Sequence, residues 1–196
     1  MHTFFDHKFK KQTVSIGPGE YYITDKDIII QTVLGSCVAV CLYTDFDKFC
    51  GMNHFMLPGE IDEPDSSDYD SGRYGIYSME ILINSLLKSG VNKKHIKSKV
   101  FGGGNVIDFQ SKIKNRVGDN NVKFILNFLQ NENIPIVSEH LGGDNARKIL
   151  FFQDDKRVLL KEIEKSEAFK TVKEEIAYNK NIINESKKSS NIILFD

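Results

Sequence analysis

"IIIQTVLGSCVAVCLY", Ile28 to Tyr43, is the stretch on which the fold turns. An apolar, β-branched run stops at Gly35–Ser36, presents Cys37 and resumes at Val38. Two strand-like segments flank a break of small residues. Such residues let the chain turn sharply and leave backbone N–H groups exposed beside the sulfur.

Outward from this break, residues 12–57 read as β structure. "QTVSIGPGEYYIT" holds short strands around Gly17-Pro18-Gly19, and "VAVCLYT" and "FCGMNHFML" are rich in β-branched and aromatic residues. Residues 59–72, "GEIDEPDSSDYDSG", read as an acidic loop; Asp68 and Asp70 lack the glycine and distal Glu of an EF-hand, so calcium is not expected. A helix over about 74–88 follows from the stripe Met79, Leu82, Ile83, Leu86, closed by Gly90. "IKSKVFGGGNV" predicts a strand running into a glycine loop, and Val122, Ile125, Leu126 and Leu129 predict a second helix over about 119–131. The loop has no Gly-Lys-Ser/Thr and no complete GxGxxG, so it reads as close backbone packing or a wall of the site. "IPIVSEHLGG", "RKILFFQ" and "RVLLKEI" predict three more strands. Beyond residue 163 the composition turns to Lys, Glu and Asn, and Phe169, Val172, Ile176 and Ile183 keep a helical period, ending in "NIILFD".

Adjacent strands with few helices predict an α/β (α+β) fold, a layered sandwich of mixed β-sheets flanked by helices, with a C-terminal helical extension. The expected division is a domain over 1–162 and an amphipathic helix and tail over 163–196. The composition, 40% apolar and 27% charged, is that of an ordinary globular protein. A formal net charge of −1 argues against nucleic acid or an anionic membrane as the main partner. No apolar run reaches the ~18 residues of a membrane span, so no membrane insertion is expected. "MHTFFDHKFKK" has no signal-peptide pattern, and a cytoplasmic location is expected. Cys37, Cys41 and Cys50 are an odd set without zinc-site spacing, which predicts free thiols and no structural metal.

A thiol with a free pKa near ~8.5 needs a base or cation close by to act as a nucleophile. His2 and His7 lie in an expectedly frayed N-terminus, His95 on a connection and His140 before a Gly-Gly turn. His54 lies 54 − 37 = 17 residues after Cys37, a hairpin's reach. Amides around Gly35–Cys37 could hold the oxyanion of a tetrahedral intermediate. The plainer alternative is a buried cysteine acting as a small hydrophobe beside a structural histidine. Cys41, between Val40 and Leu42, takes that plainer reading.

"TVLGSCVAVCLY", "GMNHFMLP", "KVFGGGNV" and "HLGGDNARKILFF", in this order over residues 13–162, resemble the CheD family, the chemoreceptor glutamine deamidases of bacterial chemotaxis. Glu175, Tyr178 and the final "NIILF" resemble the C-terminal extension of one branch. The resemblance implies a cysteine hydrolase that converts glutamine side chains of chemoreceptors (methyl-accepting chemotaxis proteins) to glutamate, with no metal or organic cofactor. It assigns Cys37 as nucleophile and His54 as general base. The family's third catalytic residue is a threonine six positions before the cysteine, where this chain has Gln31; Thr32 follows one position later. Neighbouring strand residues face opposite sides, so a bulge restoring Thr32 or an amide from Gln31 both remain open. Arg147 fits the LGG–Arg element, with ion pairing as its ordinary role. "VGDNN" keeps Asn121 but has Asn120 where the family has arginine. A CheC-type phosphatase is a candidate partner. The alternatives are an adaptor that binds receptors or CheC with little catalysis, and another Cys-His thiol hydrolase.

Overall fold

The structure is a computed structural model that describes residues 1–57, 68–106, 117–164, 173–178 and 180–181, without the side chains of 68–73. One sheet is built from β1 (His2–Asp6), β2 (Lys11–Ser15), β4 (Ile29–Leu34), β9 (Ala146–Phe152) and β10 (Val158–Ile163), in that spatial order. The second is ordered β3 (Tyr21–Thr24), β6 (Cys50–Phe55), β5 (Val38–Tyr43), β7 (Lys97–Gly102) and β8 (Ile136–Leu141). Both are mixed: β2 runs parallel to β4 and β7 parallel to β8, and the other pairs are antiparallel. Helices α1 (Asp68–Lys88) and α2 (Val117–Asn131) cover the second sheet.

Strand parity explains the layering. On β5, Ala39, Cys41 and Tyr43 point between the sheets, against Ile30 and Leu34 of β4, Met52 of β6 and Phe151 of β9. Val38, Val40 and Leu42 point the other way, into a second core with Met79, Leu82 and Leu86 of α1 and Ile125 and Leu129 of α2. Each large apolar side chain so buried contributes about 1.5–3 kcal/mol. With a core on each face, β5 has no polar side to show, and its sequence is apolar throughout.

The break at Gly35–Cys37 is where the chain leaves one sheet and enters the other. β4 ends at Leu34 in the first, and β5 begins at Val38 in the second. The expected sandwich of mixed sheets is therefore present, with both helices on one side, giving the layers sheet, sheet, helices.

Two local expectations change, and a third falls largely outside the described residues. The N-terminus is not frayed: β1 pairs antiparallel with β2, and Asp6 Oδ1 accepts from the Lys8 and Phe9 amides at 2.9 and 3.1 Å in the turn between them. The helix expected from 74 begins at Asp68, so the end of the acidic stretch is its first turn; residues 58–67 lie outside the described residues. In the C-terminal segment 173–178 is helical, whereas Phe169, Val172, Ile183 and the final "NIILFD" lie outside the described residues.

Candidate active site

Three residues approach one another between the sheets, each from a different element. Thr32 points inward from β4, sharing parity with Ile30 and Leu34. His54 points inward from β6, in parity with Cys50 and Met52. Cys37 ends the crossover itself. In the β5–β6 ladder Ala39 faces His54, so the sulfur two residues before Ala39 and the imidazole are diagonal neighbours on one face. Cys37 is 0% and His54 1% exposed.

A chain of hydrogen bonds fixes the imidazole. Thr32 Oγ1 donates to the Ile16 carbonyl at 2.7 Å, which commits its only proton. Its lone pair therefore accepts from His54 Nδ1 at 2.8 Å, so the neutral ring carries its proton on Nδ1. Nε2 is left as a bare lone pair, buried and without a partner among the described residues. Gln31 faces the opposite side of β4, and its Oε1 has no partner among the described residues either. Burial pushes the His54 pKa down from 6.5 to about 4, against the opposing pull of Glu175 and Glu20.

The crossover is pinned from behind by its carbonyls. Gly104 N donates to Gly35 O and Gly103 N to Cys37 O, each at 2.8 Å, and Asn121 Nδ2 donates to Ser36 O at 2.8 Å. The glycine loop is thus a wall of the site. Gly102, at φ 118°, could not carry a Cβ, which would meet the Cys37 carbonyl. Asn121, fully buried, also accepts from Leu57 N at 2.7 Å, joining the crossover to the end of the His54 strand.

With the carbonyls held on one side, three successive N–H groups converge on the other. They meet the carboxylate of Glu175, which is 1% exposed. Oε1 accepts from Gly35 N at 2.7 Å and Cys37 N at 3.2 Å; Oε2 accepts from Ser36 N and Ser36 Oγ, both at 2.8 Å. The Cys37 thiol is pushed up by burial and, beyond that, by the adjoining Glu175. No motif or spacing in the sequence assigns Glu175 a role in the site. The one signal was its position on the apolar stripe of the C-terminal segment, three residues after Val172.

The reactive atoms of Cys37, His54 and Glu175 lie within 4.8 Å of one another, a spacing that could hold a metal ion. Both carboxylate oxygens already serve N–H and O–H donors, which marks an anion seat rather than a cation site. A broad depression of ≈ 740 Å³ between Asp25, Asp45 and Lys156 shares no residue with this cluster. Cys41 and Cys50 are buried free thiols, both pushed up by burial, Cys50 to about 12. Arg147, 1% exposed, braces its own turn: Nη1 donates to His140 Nδ1 and O at 2.8 and 2.7 Å, and Nη2 to Asn145 O at 3.1 Å and Gly142 O.

Comparison with known proteins decides the family. The family described as CheD chemotactic sensory transduction matches residues 56–162, more than half of the chain. A "Probable chemoreceptor glutamine deamidase CheD" of Janthinobacterium sp. (strain Marseille) is 47% identical over 82% of this chain and 78% of its own length. The chain belongs to the CheD family. A relative of the same name in Thiobacillus denitrificans is 43% identical over 89% of this chain and 86% of its own length. "Probable chemoreceptor glutamine deamidase CheD 2" of Chromobacterium violaceum is 39% identical over 99% of this chain and 95% of its own length, so the similarity of this CheD protein extends through the C-terminal segment. Among solved structures, Bacillus licheniformis hypothetical protein YfiH has a TM-score of 0.37 at 11% identity, over 63% of this chain and 49% of that one. That likeness carries no argument.

Proposed function

We propose that this CheD protein converts glutamine side chains of chemoreceptors to glutamate and ammonia, with Cys37 as nucleophile, His54 as base and Thr32 orienting the imidazole. One observation carries the reading: the bonds from Ile16 O through Thr32 to His54 Nδ1 leave Nε2 bare and close to a thiol that adjoins three convergent N–H groups. The names of the relatives supply the substrate class.

His54 Nε2 takes the Cys37 proton, and the sulfur bonds to the amide carbon. Charge develops on the amide oxygen, which the N–H groups of Gly35, Ser36 and Cys37 stabilise; losing one such donor typically costs about 3 kcal/mol. The C–N bond breaks as His54 returns the proton to the departing ammonia. Water, deprotonated by His54, cleaves the thioester, leaving glutamate and the free thiol. Every step uses groups of this chain and water, without metal or organic cofactor. Residues 1–162 supply all of these groups, and 163–196 form the extension.

A cytoplasmic location follows from the substrate, and no helix among the described residues is long and apolar enough to cross a membrane. A CheC-type phosphatase remains the candidate protein partner, and no step calls on nucleic acid. The test is to incubate the protein with a receptor cytoplasmic fragment and map amide-to-acid conversions by mass spectrometry. Conversion by the wild type and none by Cys37→Ala is expected; conversion surviving in Cys37→Ala would refute the assignment.

A further inference from the structure

A carboxylate that arrives from 138–140 residues away in sequence and accepts every N–H of the crossover has a chemical identity that bears on the site. It is the end of a glutamate side chain, and glutamate is what a glutamine deamidase makes. We propose that Glu175 is a built-in product analogue: it fills the acyl subsite of this chain's own thiol site, so that segment 173–178 and the glutamine-bearing segment of the substrate compete for one seat. The inference rests on the deamidase reading above.

The pose is that of a product, not merely of a tail resting nearby. Both oxygens accept two hydrogen bonds, and Ser36 adds its hydroxyl to its amide on Oε2. A glutamine amide would turn an NH₂ toward the Ser36 N–H, so the cradle holds the acid better than the amide. Burying an ionised carboxylate is costly unless it is fully hydrogen-bonded, and here four donors reach it.

The seat is shaped beyond the carboxylate. A Cβ on Gly35 would lie 2.8 Å from Glu175 Oε2 and 2.9 Å from Val106 Cγ2, so only glycine leaves room there. A Cβ on Gly19, at φ 78°, would lie 2.6 Å from the Tyr178 ring, which packs against the core between the sheets. Gly19 N in turn donates to the His54 carbonyl at 2.8 Å, so the tail's aromatic contact rests on the turn that abuts the His54 strand.

Occupation also quiets the thiol. A carboxylate beside Cys37 disfavours the thiolate, and it fills the donors that an oxyanion would use. In this state the protein is closed to substrate; turnover begins when Glu175 leaves.

The test measures alkylation of each cysteine by iodoacetamide in the full-length protein, read peptide by peptide, together with kinetics on a receptor fragment. Glu175→Ala should speed alkylation at Cys37 by about tenfold or more, the ratio for losing one charge-assisted hydrogen bond, with Cys41 and Cys50 unchanged. It should also lower KM at unchanged kcat. Wild-type alkylation and wild-type KM in this variant would overturn the proposal. Should all three cysteines accelerate together, Tyr178→Ala, which leaves the carboxylate and its donors in place, decides by the same readouts. Faster Cys37 alone supports the proposal, and no change overturns it.

Glu175→Gln gives a covalent readout. Cys37 Sγ would bond to Cδ of the side chain, the C–N bond would break, and ammonia would leave with the proton from His54. Water would then release glutamate at 175 and the thiol. Conversion that requires Cys37 supports the shared seat; a persistent glutamine together with wild-type alkylation in Glu175→Ala overturns it. Receptor deamidation lost in Cys37→Ala keeps the deamidase reading whichever way Glu175 falls.

Discussion

Two glycine-bearing turns in this molecule have opposite polarity. At Gly35–Cys37 the carbonyls are held from behind by Gly103, Gly104 and Asn121, and the N–H groups gather round a carboxylate. At His140–Asn145 the carbonyls of His140, Gly142 and Asn145 gather round the guanidinium of Arg147. The same backbone makes an anion seat or a cation seat according to which of its groups is already engaged. Their guests differ as well. Arg147 belongs to β9, a strand paired on both sides with β4 and β10, and lies next to the turn it braces. Glu175 arrives from outside both sheets, on the segment proposed above to exchange with substrate. One turn is architecture, and the other is the proposed active site.

Several substitutions test this contrast. The largest effect belongs to Cys37→Ala, with kcat for receptor deamidation reduced on the order of 10⁴-fold and the melting temperature retained. Thr32→Val keeps shape but removes the acceptor that fixes His54 Nδ1; a fall of about 10²-fold in kcat with little change in KM is expected in the same assay. Arg147→Met should leave the chemistry and destabilise the fold by about 2–4 kcal/mol in urea titration, since the carbonyls it serves lose a buried charged donor. Asn121→Ala removes bonds to Ser36 O and Leu57 N; a stability loss of about 1–3 kcal/mol should come with a measurable drop in kcat, because the crossover amides lose alignment.

The smallest effect is in pH. Burial holds His54 near 4, well below its ordinary 6.5. Between those values the unfolded chain binds a proton that the folded chain does not, so stability should fall as pH drops through that window. Denaturation curves at steps from about pH 7 to about pH 4.5 should show this slope, and His54→Asn should flatten it.

Cys37 and His54 are legible in the sequence because they share one hairpin: a small-residue break and a fixed count of residues place both on one face. The glycine loop is legible as a wall because it lacks nucleotide-binding residues. Thr32 against Gln31 is not legible, because β4 is buried on both faces and its sequence carries no polar alternation to set the phase. Only the partner at Ile16 O decides which residue faces the ring. Cys41 shows the converse: it is as buried as Cys37 on the same strand face, and only neighbours tell the two apart. Glu175 is the furthest from view, since no local rule links a charged C-terminal segment to a crossover so distant along the chain.

The most direct test of chemistry at the crossover is to trap the acyl intermediate. Protein and receptor fragment are mixed, quenched in acid within one turnover, and the cysteine peptides are weighed. The account predicts a receptor segment joined as a thioester to Cys37 and to neither Cys41 nor Cys50, released by hydroxylamine. Glutamate accumulating at the receptor with no such adduct, in wild type and under hydroxylamine alike, would contradict it.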